Sequence, residues 1–200
     1  RYMKFIIKKE SDYVNVNKLS SVSCLVPFKH IEIHANGGVS ACCHTWLPVW
    51  VGNVLDESPA DIINNSLRLE IQGEMRKGNF ACCNDQCPQL SAFLNNSNDY
   101  WDIFPKEELN QRIESGTMQI GFSYDLSCNL QCPSCRDELI YRHIDSPYMA
   151  SRRRVHDKTK LLIDQLYKQG NKVRVIISGG SDAFASALCK DYLYELSQTP

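Results

Sequence analysis

The chain has 200 residues, a net charge of −1 and a hydrophobic fraction of 43%. This length suits one medium or two small domains, and the hydrophobic fraction argues against a wholly disordered chain. The near-neutral charge argues against nucleic-acid binding, because no broad basic surplus exists to neutralise phosphates. The one basic run, Arg152-Arg153-Arg154, is interpreted as a solvated loop or helix start, with contact to an anionic substrate or partner as the alternative. No apolar run approaches the roughly 20 residues that span a bilayer and no signal peptide is visible, so we expect a cytoplasmic protein without membrane contact.

The chain contains ten cysteines, which is a high number. In a secreted protein they would indicate disulfides, but without an export signal they favour metal binding or redox chemistry. Cys189 occurs alone on a helical pattern and is expected to be a small buried apolar residue. The others occur in groups: Cys24, then Cys42 and Cys43, then Cys82, Cys83 and Cys87, then Cys128, Cys132 and Cys135.

The first half of the chain begins with the pattern of a β-hairpin. Residues His30–His34 alternate as a half-buried strand does, and Asn36-Gly37-Gly38 predicts the turn. Val39–Ala41 is predicted to begin the returning strand.

One long helix is predicted after this hairpin, from Pro59 to Lys77. Ser58 suits its N-cap, and Gly78 suits its C-terminal end. The cysteines of the first half then fall on loops at the ends of the hairpin and the helix. Irregular backbone at such places can surround a metal cluster, because its free N–H groups can donate hydrogen bonds to the sulfurs.

The second half alternates strands with helices, which predicts a parallel sheet. The predicted strands are Met118–Asp125 and Lys172–Ser178, and the predicted helices are Pro105–Ser115, Asp157–Gln169 and Ala183–Ser197. Ligands of such sheets bind beyond the carboxyl ends of the strands. The cysteine triplet and Gly179-Gly180 follow the two strands, so we expect them to face one crevice.

The triplet Cys128, Cys132 and Cys135 has the spacing C-x3-C-x2-C. Three closely spaced cysteines are a poor structural zinc site, because zinc takes four closed ligands. They are a good iron–sulfur site, since three thiolates leave one iron of a cubane cluster open to a further ligand. The alternative is three thiols that pack or pair without a metal.

This spacing and its flanks resemble the radical S-adenosylmethionine (radical SAM) enzymes. The resemblance implies a [4Fe–4S] cluster on the triplet whose open iron binds S-adenosyl-L-methionine. It further implies that an electron from a flavodoxin- or ferredoxin-like donor cleaves that cofactor to a 5′-deoxyadenosyl radical, which abstracts a hydrogen from the substrate. Beyond the cluster, no catalytic residue can be assigned.

The segment that follows the second strand is similar to the glycine-rich cofactor-binding segment of that family. The resemblance implies that Gly179, Gly180, Ser181 and Asp182 contact S-adenosylmethionine. Ser134 stands where the family often has an aromatic residue near the adenine. Taken alone, the two glycines are a weak signal and are better explained by a strand-to-helix turn.

The first half carries a second resemblance, from Cys24 through the hairpin to Cys42 and on to Gly78 and Cys87. It resembles the auxiliary-cluster domain called SPASM or twitch, in which four cysteines usually hold one [4Fe–4S] cluster. The domain usually follows the radical SAM core, whereas here it precedes the triplet.

Carried over to this chain, the resemblance implies that the auxiliary ligands are Cys24, Cys42, Cys83 and Cys87. Cys82 is the alternative to Cys83, which is preferred because Phe80 fits the aromatic residue that the family often has three positions before this ligand. Cys43 is expected to be a bystander. A structural zinc site with the same four ligands is the competing interpretation.

These resemblances together imply an α/β protein in which a small α+β SPASM or twitch domain precedes the start of a partial (βα) barrel. The expected divisions are an N-terminal extension (1–22), the auxiliary domain (23–95), a linker (96–116) and the first two strand–helix units of the core (117–200). Since such a core has about six units, the resemblance implies a truncated one. The expected function is radical SAM catalysis on an unidentified peptide, sugar or metabolite. The alternative is a non-catalytic iron–sulfur or zinc module that docks a partner protein.

Overall fold

The computed structural model describes residues 16–122, 125–130, 132, 138–177 and 182–198 and shows a mixed α/β protein. The helices are α1 (Val16–Leu19), α2 (Val26–Lys29), α3 (Pro59–Ile63), α4 (Ser66–Lys77), α5 (Pro88–Leu94), α6 (Leu109–Ser115), α7 (Pro147–Lys168) and α8 (Ala187–Ser197). The strands are β1 (Val22–Cys24), β2 (His30–Ile33), β3 (Gly38–Ser40), β4 (Gly52–Asn53), β5 (Ile103–Pro105), β6 (Met118–Phe122) and β7 (Val173–Ile177). None of the helices in these ranges is long and apolar enough to cross a membrane.

The main sheet contains strands from both halves of the chain. Its five strands lie in the order β4-β3-β2-β6-β7. Strands β4, β3 and β2 pair antiparallel, whereas β2 pairs with β6 and β6 with β7 in parallel. A separate two-stranded sheet pairs β1 with β5. The predicted hairpin and the predicted parallel pair are both confirmed, and β2 joins them into one sheet.

Helices α7 and α8 bury one face of the main sheet. Ile31 of β2 and Ile120 of β6 are fully buried in the same cluster as Leu162 of α7 and Leu188 of α8. Side chains alternate between the two faces of a strand, so the residues next to these project from the opposite face. A second, smaller core contains Phe28, Met75 and other side chains of the first half.

The turn of the hairpin is built as predicted. Gly37 has φ of +86°, a left-handed conformation in which glycine carries no Cβ penalty. The backbone N–H of Gly37 donates to the His34 carbonyl at 2.8 Å, and the N–H of His34 donates to the Gly38 carbonyl at 2.9 Å.

The prediction of one helix from Pro59 to Lys77 is wrong, because the helix is interrupted between α3 and α4. The Asn64 side chain donates back to the Ala60 carbonyl at 2.9 Å where α3 ends. The Asn65 side chain accepts from the N–H groups of Leu67 and Arg68 and so caps the new helix. Asparagine side chains compete with the helical backbone for these hydrogen bonds, and two in succession restart the helix here.

The other element boundaries also differ from the predictions. Helix α7 begins at Pro147 rather than Asp157, because Ser146 caps it by accepting from the Met149 N–H. Helix α8 begins after the cap Ser186 rather than at Ala183. A 3₁₀ turn, Lys106–Glu108, replaces the start of the helix predicted from Pro105. Strand β6 is described only to Phe122, and the predicted strand residues Ser123 and Tyr124 lie outside the described residues. The sequence patterns had not predicted β1, β5 or α5.

Candidate metal centres

Five cysteines of the first half line one cavity of about 670 Å³, here called the thiol cavity. All cysteines within the described ranges are free thiols. The thiols lie where the two cores meet, because Cys42 packs against the larger core and Cys24 and Cys87 pack against the smaller one. The cysteines that line the cavity are Cys24, Cys42, Cys43, Cys83 and Cys87.

Short loops hold these cysteines in place. Cys24 ends β1 opposite Ile103 of β5, so the small sheet fixes its position. Cys42 follows β3, and its carbonyl accepts a hydrogen bond from the Ser40 hydroxyl at 2.8 Å. The Cys83 N–H donates to the Phe80 carbonyl at 2.8 Å in the turn after α4.

A backbone contact ties two of the cysteine loops together. The Asn84 N–H donates to the Trp46 carbonyl at 2.8 Å, which joins the loop after β3 to the turn after α4. The Cys87 N–H in turn donates to the Asn84 carbonyl at 3.0 Å. Cys87 immediately precedes α5, with Pro88 at the first helical position. Three separate pieces of backbone therefore meet at one cavity.

Burial makes the ionised forms of Cys24 and Cys42 unfavourable in the metal-free chain. It is the main cause that raises the pKa of Cys24 far above its ordinary range, and the nearby Cys42 adds to the effect. Burial likewise raises the pKa of Cys42 to about 12, with the proximity of Cys87 and Cys43 contributing. Metal coordination supplies the missing stabilisation of the thiolates. The donor set is all sulfur, which fits an iron–sulfur cluster.

The choice between Cys82 and Cys83 remains a prediction, but the geometry favours Cys83. Cys83 lines the thiol cavity and Cys82 does not. A hydrogen bond between the two thiols lowers the pKa of Cys82 and, together with burial, raises that of Cys83. Cys43, the expected bystander, also lines the cavity.

No group of three or more His, Cys, Asp or Glu side chains within the described ranges is arranged around a single-ion site.

The second cysteine group is only partly described. Cys128 is buried and forms an isolated bridge with Ile140, in which its N–H donates to the Ile140 carbonyl at 2.7 Å and its carbonyl accepts at 3.0 Å. Cys132 is exposed. Cys135 lies outside the described residues, as do Ser134, Gly179, Gly180 and Ser181.

A buried network joins the loop after β6 to the loop after β7. The Asp125 carboxylate accepts from the Ser127 N–H at 2.6 Å and from the Ser186 hydroxyl at 2.6 Å. The Asp182 N–H donates to the Ser127 carbonyl at 3.1 Å. These residues adjoin Cys128 on one side and the predicted cofactor-binding segment on the other.

The two cysteine groups lie toward opposite ends of the parallel strands. The thiol cavity includes His30, Gln119 and Arg174, which occupy the first or second positions of β2, β6 and β7. Cys128 follows the carboxyl end of β6. The sequence analysis had not singled out these three polar residues, although Arg174 is the one polar residue of the apolar strand Val173–Ile177.

Comparison with known families identifies the segment that contains the first cysteine group. Residues 24–88 match the family model SPASM, described as an iron–sulfur cluster-binding domain. This segment is a SPASM domain. The match runs from Cys24 to the residue after Cys87 and so contains every predicted auxiliary ligand. No radical SAM core is detected in the chain, and the comparisons with curated proteins and with solved structures found no match.

Proposed function

We propose that this protein is a radical SAM iron–sulfur protein whose SPASM domain carries an auxiliary cluster. SPASM domains are typical of radical SAM proteins. The C-x3-C-x2-C triplet after the first strand of the second half is the further feature that favours this function. The substrate is a peptide, a sugar or a small metabolite.

The observation that carries the proposal is the contact between the loops after β6 and β7. The Asp182 N–H donates to the Ser127 carbonyl, and the Ser186 hydroxyl donates to Asp125. The ends of two neighbouring parallel strands are the usual ligand site of an open α/β sheet. A cluster at Cys128 and a cofactor beside Asp182 would be neighbours there.

The cysteines would divide into two ligand sets. Cys128, Cys132 and Cys135 would hold one [4Fe–4S] cluster, and the SPASM ligands would be Cys24, Cys42, Cys83 and Cys87. Cys128, Cys132 and Cys135 would thereby place an electron-transferring cluster, whose chemistry would be the reductive cleavage of S-adenosylmethionine to methionine and a 5′-deoxyadenosyl radical. The donor of that electron would be a flavodoxin- or ferredoxin-like protein, and the cofactor contacts would come from Gly179, Gly180, Ser181, Asp182 and Ser134.

The chain's own residues would position this chemistry. Asp125 holds both loops by accepting from Ser127 and Ser186, and the bridge between Cys128 and Ile140 fixes the start of the cysteine loop. Burial of Asp125, Ser127 and Cys128 keeps water from this side of the site. Fixed backbone here would reduce the reorganisation needed when a ligand binds.

Anaerobic reconstitution with iron and sulfide tests the proposal. We expect about eight irons per chain, because each ligand set would hold a four-iron cluster. Replacing Cys128, Cys132 and Cys135 together with Ala should remove about half of the iron. An unchanged iron content would contradict the assignment of this triplet.

Electron paramagnetic resonance then tests cofactor binding. Adding S-adenosylmethionine to the reduced protein should alter the cluster spectrum, and Gly180→Val should weaken the response by crowding the approach to the cofactor. The triple Cys→Ala variant is the control and should show no response. A wild-type spectrum that does not change would favour the alternative, a non-catalytic module that docks a partner protein.

A further inference from the structure

The main sheet forms part of the wall of the thiol cavity. His30, Gln119 and Arg174 all line the cavity. They are also consecutive partners in the register of β2, β6 and β7. Partners in register project from the same face of a sheet. A row of three nitrogen-bearing side chains therefore crosses the sheet at the cavity, and we call it the polar row.

The polar row lies on the face that α7 and α8 leave uncovered. The next residues along the strands, Ile31 and Ile120, project to the other face and are fully buried in the larger core. Gly121 follows Gln119 on the cavity face, where a Cβ would lie 3.4 Å from the His30 ring. The imidazole of His30 therefore lies close to the backbone of β6 at Gly121.

Within the described part of the chain, no carboxylate forms an ion pair with the positive charges at the row. Arg174 is exposed, and Lys29, which also lines the cavity, lies with its alkyl stem against Gly116. Among the residues that the structure describes, neither side chain has a hydrogen bond or an ion pair. The Glu32 carboxylate instead accepts from the His44 N–H at 3.2 Å.

One acidic side chain does face the cavity. Asp102 lines it and is half-buried, and burial raises the pKa of its carboxyl group. Its backbone is held by Gln89, whose amide oxygen accepts from the N–H groups of Trp101 and Asp102. The ionisable side chains on the cavity wall thus include two cations and one partly desolvated acid, in addition to the thiols and His30.

We propose that the thiol cavity binds an anionic ligand, through a carboxylate or a phosphate held by Arg174, Lys29 and Gln119 beside the cysteines. A guanidinium group binds either anion through two parallel N–H donors, and an ammonium group and an amide add further donors. The cavity of about 670 Å³ would hold the cluster as well as the ligand, and its volume lies within the range of small-molecule sites. Trp46 and Trp101 supply apolar wall for the rest of the ligand.

This site is separate from the proposed cofactor site. The polar row lies near the starts of β6 and β7, whereas Cys128 and Asp182 follow their carboxyl ends. The anion bound here is therefore not the carboxylate of S-adenosylmethionine. The inference depends on the position of the SPASM thiols but not on radical chemistry, so it can fail or hold independently of the proposed function.

Ligand-observed nuclear magnetic resonance on the reconstituted protein tests the proposal. Inorganic phosphate and ¹³C-labelled acetate are titrated in separate arms at constant ionic strength, because salt screens exposed charges. The variants are Arg174→Gln and Lys29→Gln. Arg154→Gln is the matched control, since it removes the same charge from an exposed position of α7. Iron content is measured for every sample.

We expect saturable binding of at least one probe to the wild type and to Arg154→Gln. Arg174→Gln should weaken it about tenfold, the effect of losing a charged bidentate contact, and Lys29→Gln should weaken it less. Saturable binding of phosphate alone or of acetate alone identifies which anion the site takes. Iron content should not change in any variant. No saturable binding of either probe, or equal losses in Arg174→Gln and Arg154→Gln, would overturn the proposal. Saturable anion binding in a protein that does not bind S-adenosylmethionine would reject only the proposed function.

Discussion

Ser186 connects the first turn of α8 to the loop that carries Cys128. Its hydroxyl donates to the Asp125 carboxylate at 2.6 Å and accepts from the Cys189 N–H at 3.2 Å. Ser146 caps α7 in the same way, by accepting from the Met149 N–H at 3.2 Å, but it has no carboxylate partner among the described residues. Ser186→Ala therefore removes a helix cap and a buried bond to a carboxylate, whereas Ser146→Ala removes a helix cap alone.

The expected magnitudes follow from these contacts. Loss of a serine cap costs about 1 kcal/mol of stability. A buried hydrogen bond to a charged group contributes about 1.5–3 kcal/mol. Ser186 and Asp125 are almost fully buried, so solvent cannot replace the lost partner. We expect Ser186→Ala to lower the free energy of unfolding by about 3 kcal/mol and Ser146→Ala by about 1 kcal/mol.

Urea unfolding of the anaerobically reconstituted protein, followed by circular dichroism, measures both values. The slope of free energy against urea should be equal in the two variants, which shows that the difference arises in stability. Asp125→Asn should lower the free energy of unfolding by an amount between the values for Ser146→Ala and Ser186→Ala, because the amide oxygen still accepts one hydrogen bond. Equal destabilisation by Ser186→Ala and Ser146→Ala would refute the reasoning, since the carboxylate contact would then contribute nothing.

Three further predictions concern other parts of the chain. Cys24→Ala should lower the iron content and the melting temperature of the reconstituted protein, because we expect the fold of the SPASM domain to depend on its metal. Cys43→Ala should change both values little, and equal losses in the two variants would mean that Cys43 is a ligand. Burial lowers the pKa of His156, so the unfolded chain binds protons more readily and stability should fall as the pH drops below about 6.5. His156→Gln should reduce this acid loss in unfolding experiments, whereas a similar effect of the exposed His143→Gln would contradict the role of burial. Asn65→Ala should lower the free energy of unfolding in urea by about 1 kcal/mol, because it removes the cap of α4. A gain in stability would show that the protein does not need the helix break for its stability.

Local sequence was enough to predict several elements of this protein. The Asn36-Gly37 turn and the β-branched run at Val173–Ile177 act through backbone conformation and side-chain shape, which neighbouring residues determine. The SPASM domain could also be predicted from the resemblance of this segment to its family, and residues 24–88 match that family. The helix break at Asn64-Asn65 has a local cause as well, since the side chains of these two asparagines form hydrogen bonds that override the apolar helical pattern.

Only the tertiary structure decided which elements meet. Strand β2 pairs in parallel with β6, although a long stretch of chain with several helices separates them. The hydrogen bonds of such a pair are backbone bonds, so they do not by themselves specify the partner strand. The polar row arises from the same pairing: His30, Gln119 and Arg174 come from three distant segments and become neighbours through the register of the sheet. The sequence by itself determined which residues are able to bind a metal or an anion. The packing of the sheet against α7 and α8 decided which of them share a cavity, because burial of apolar faces selects the strand order.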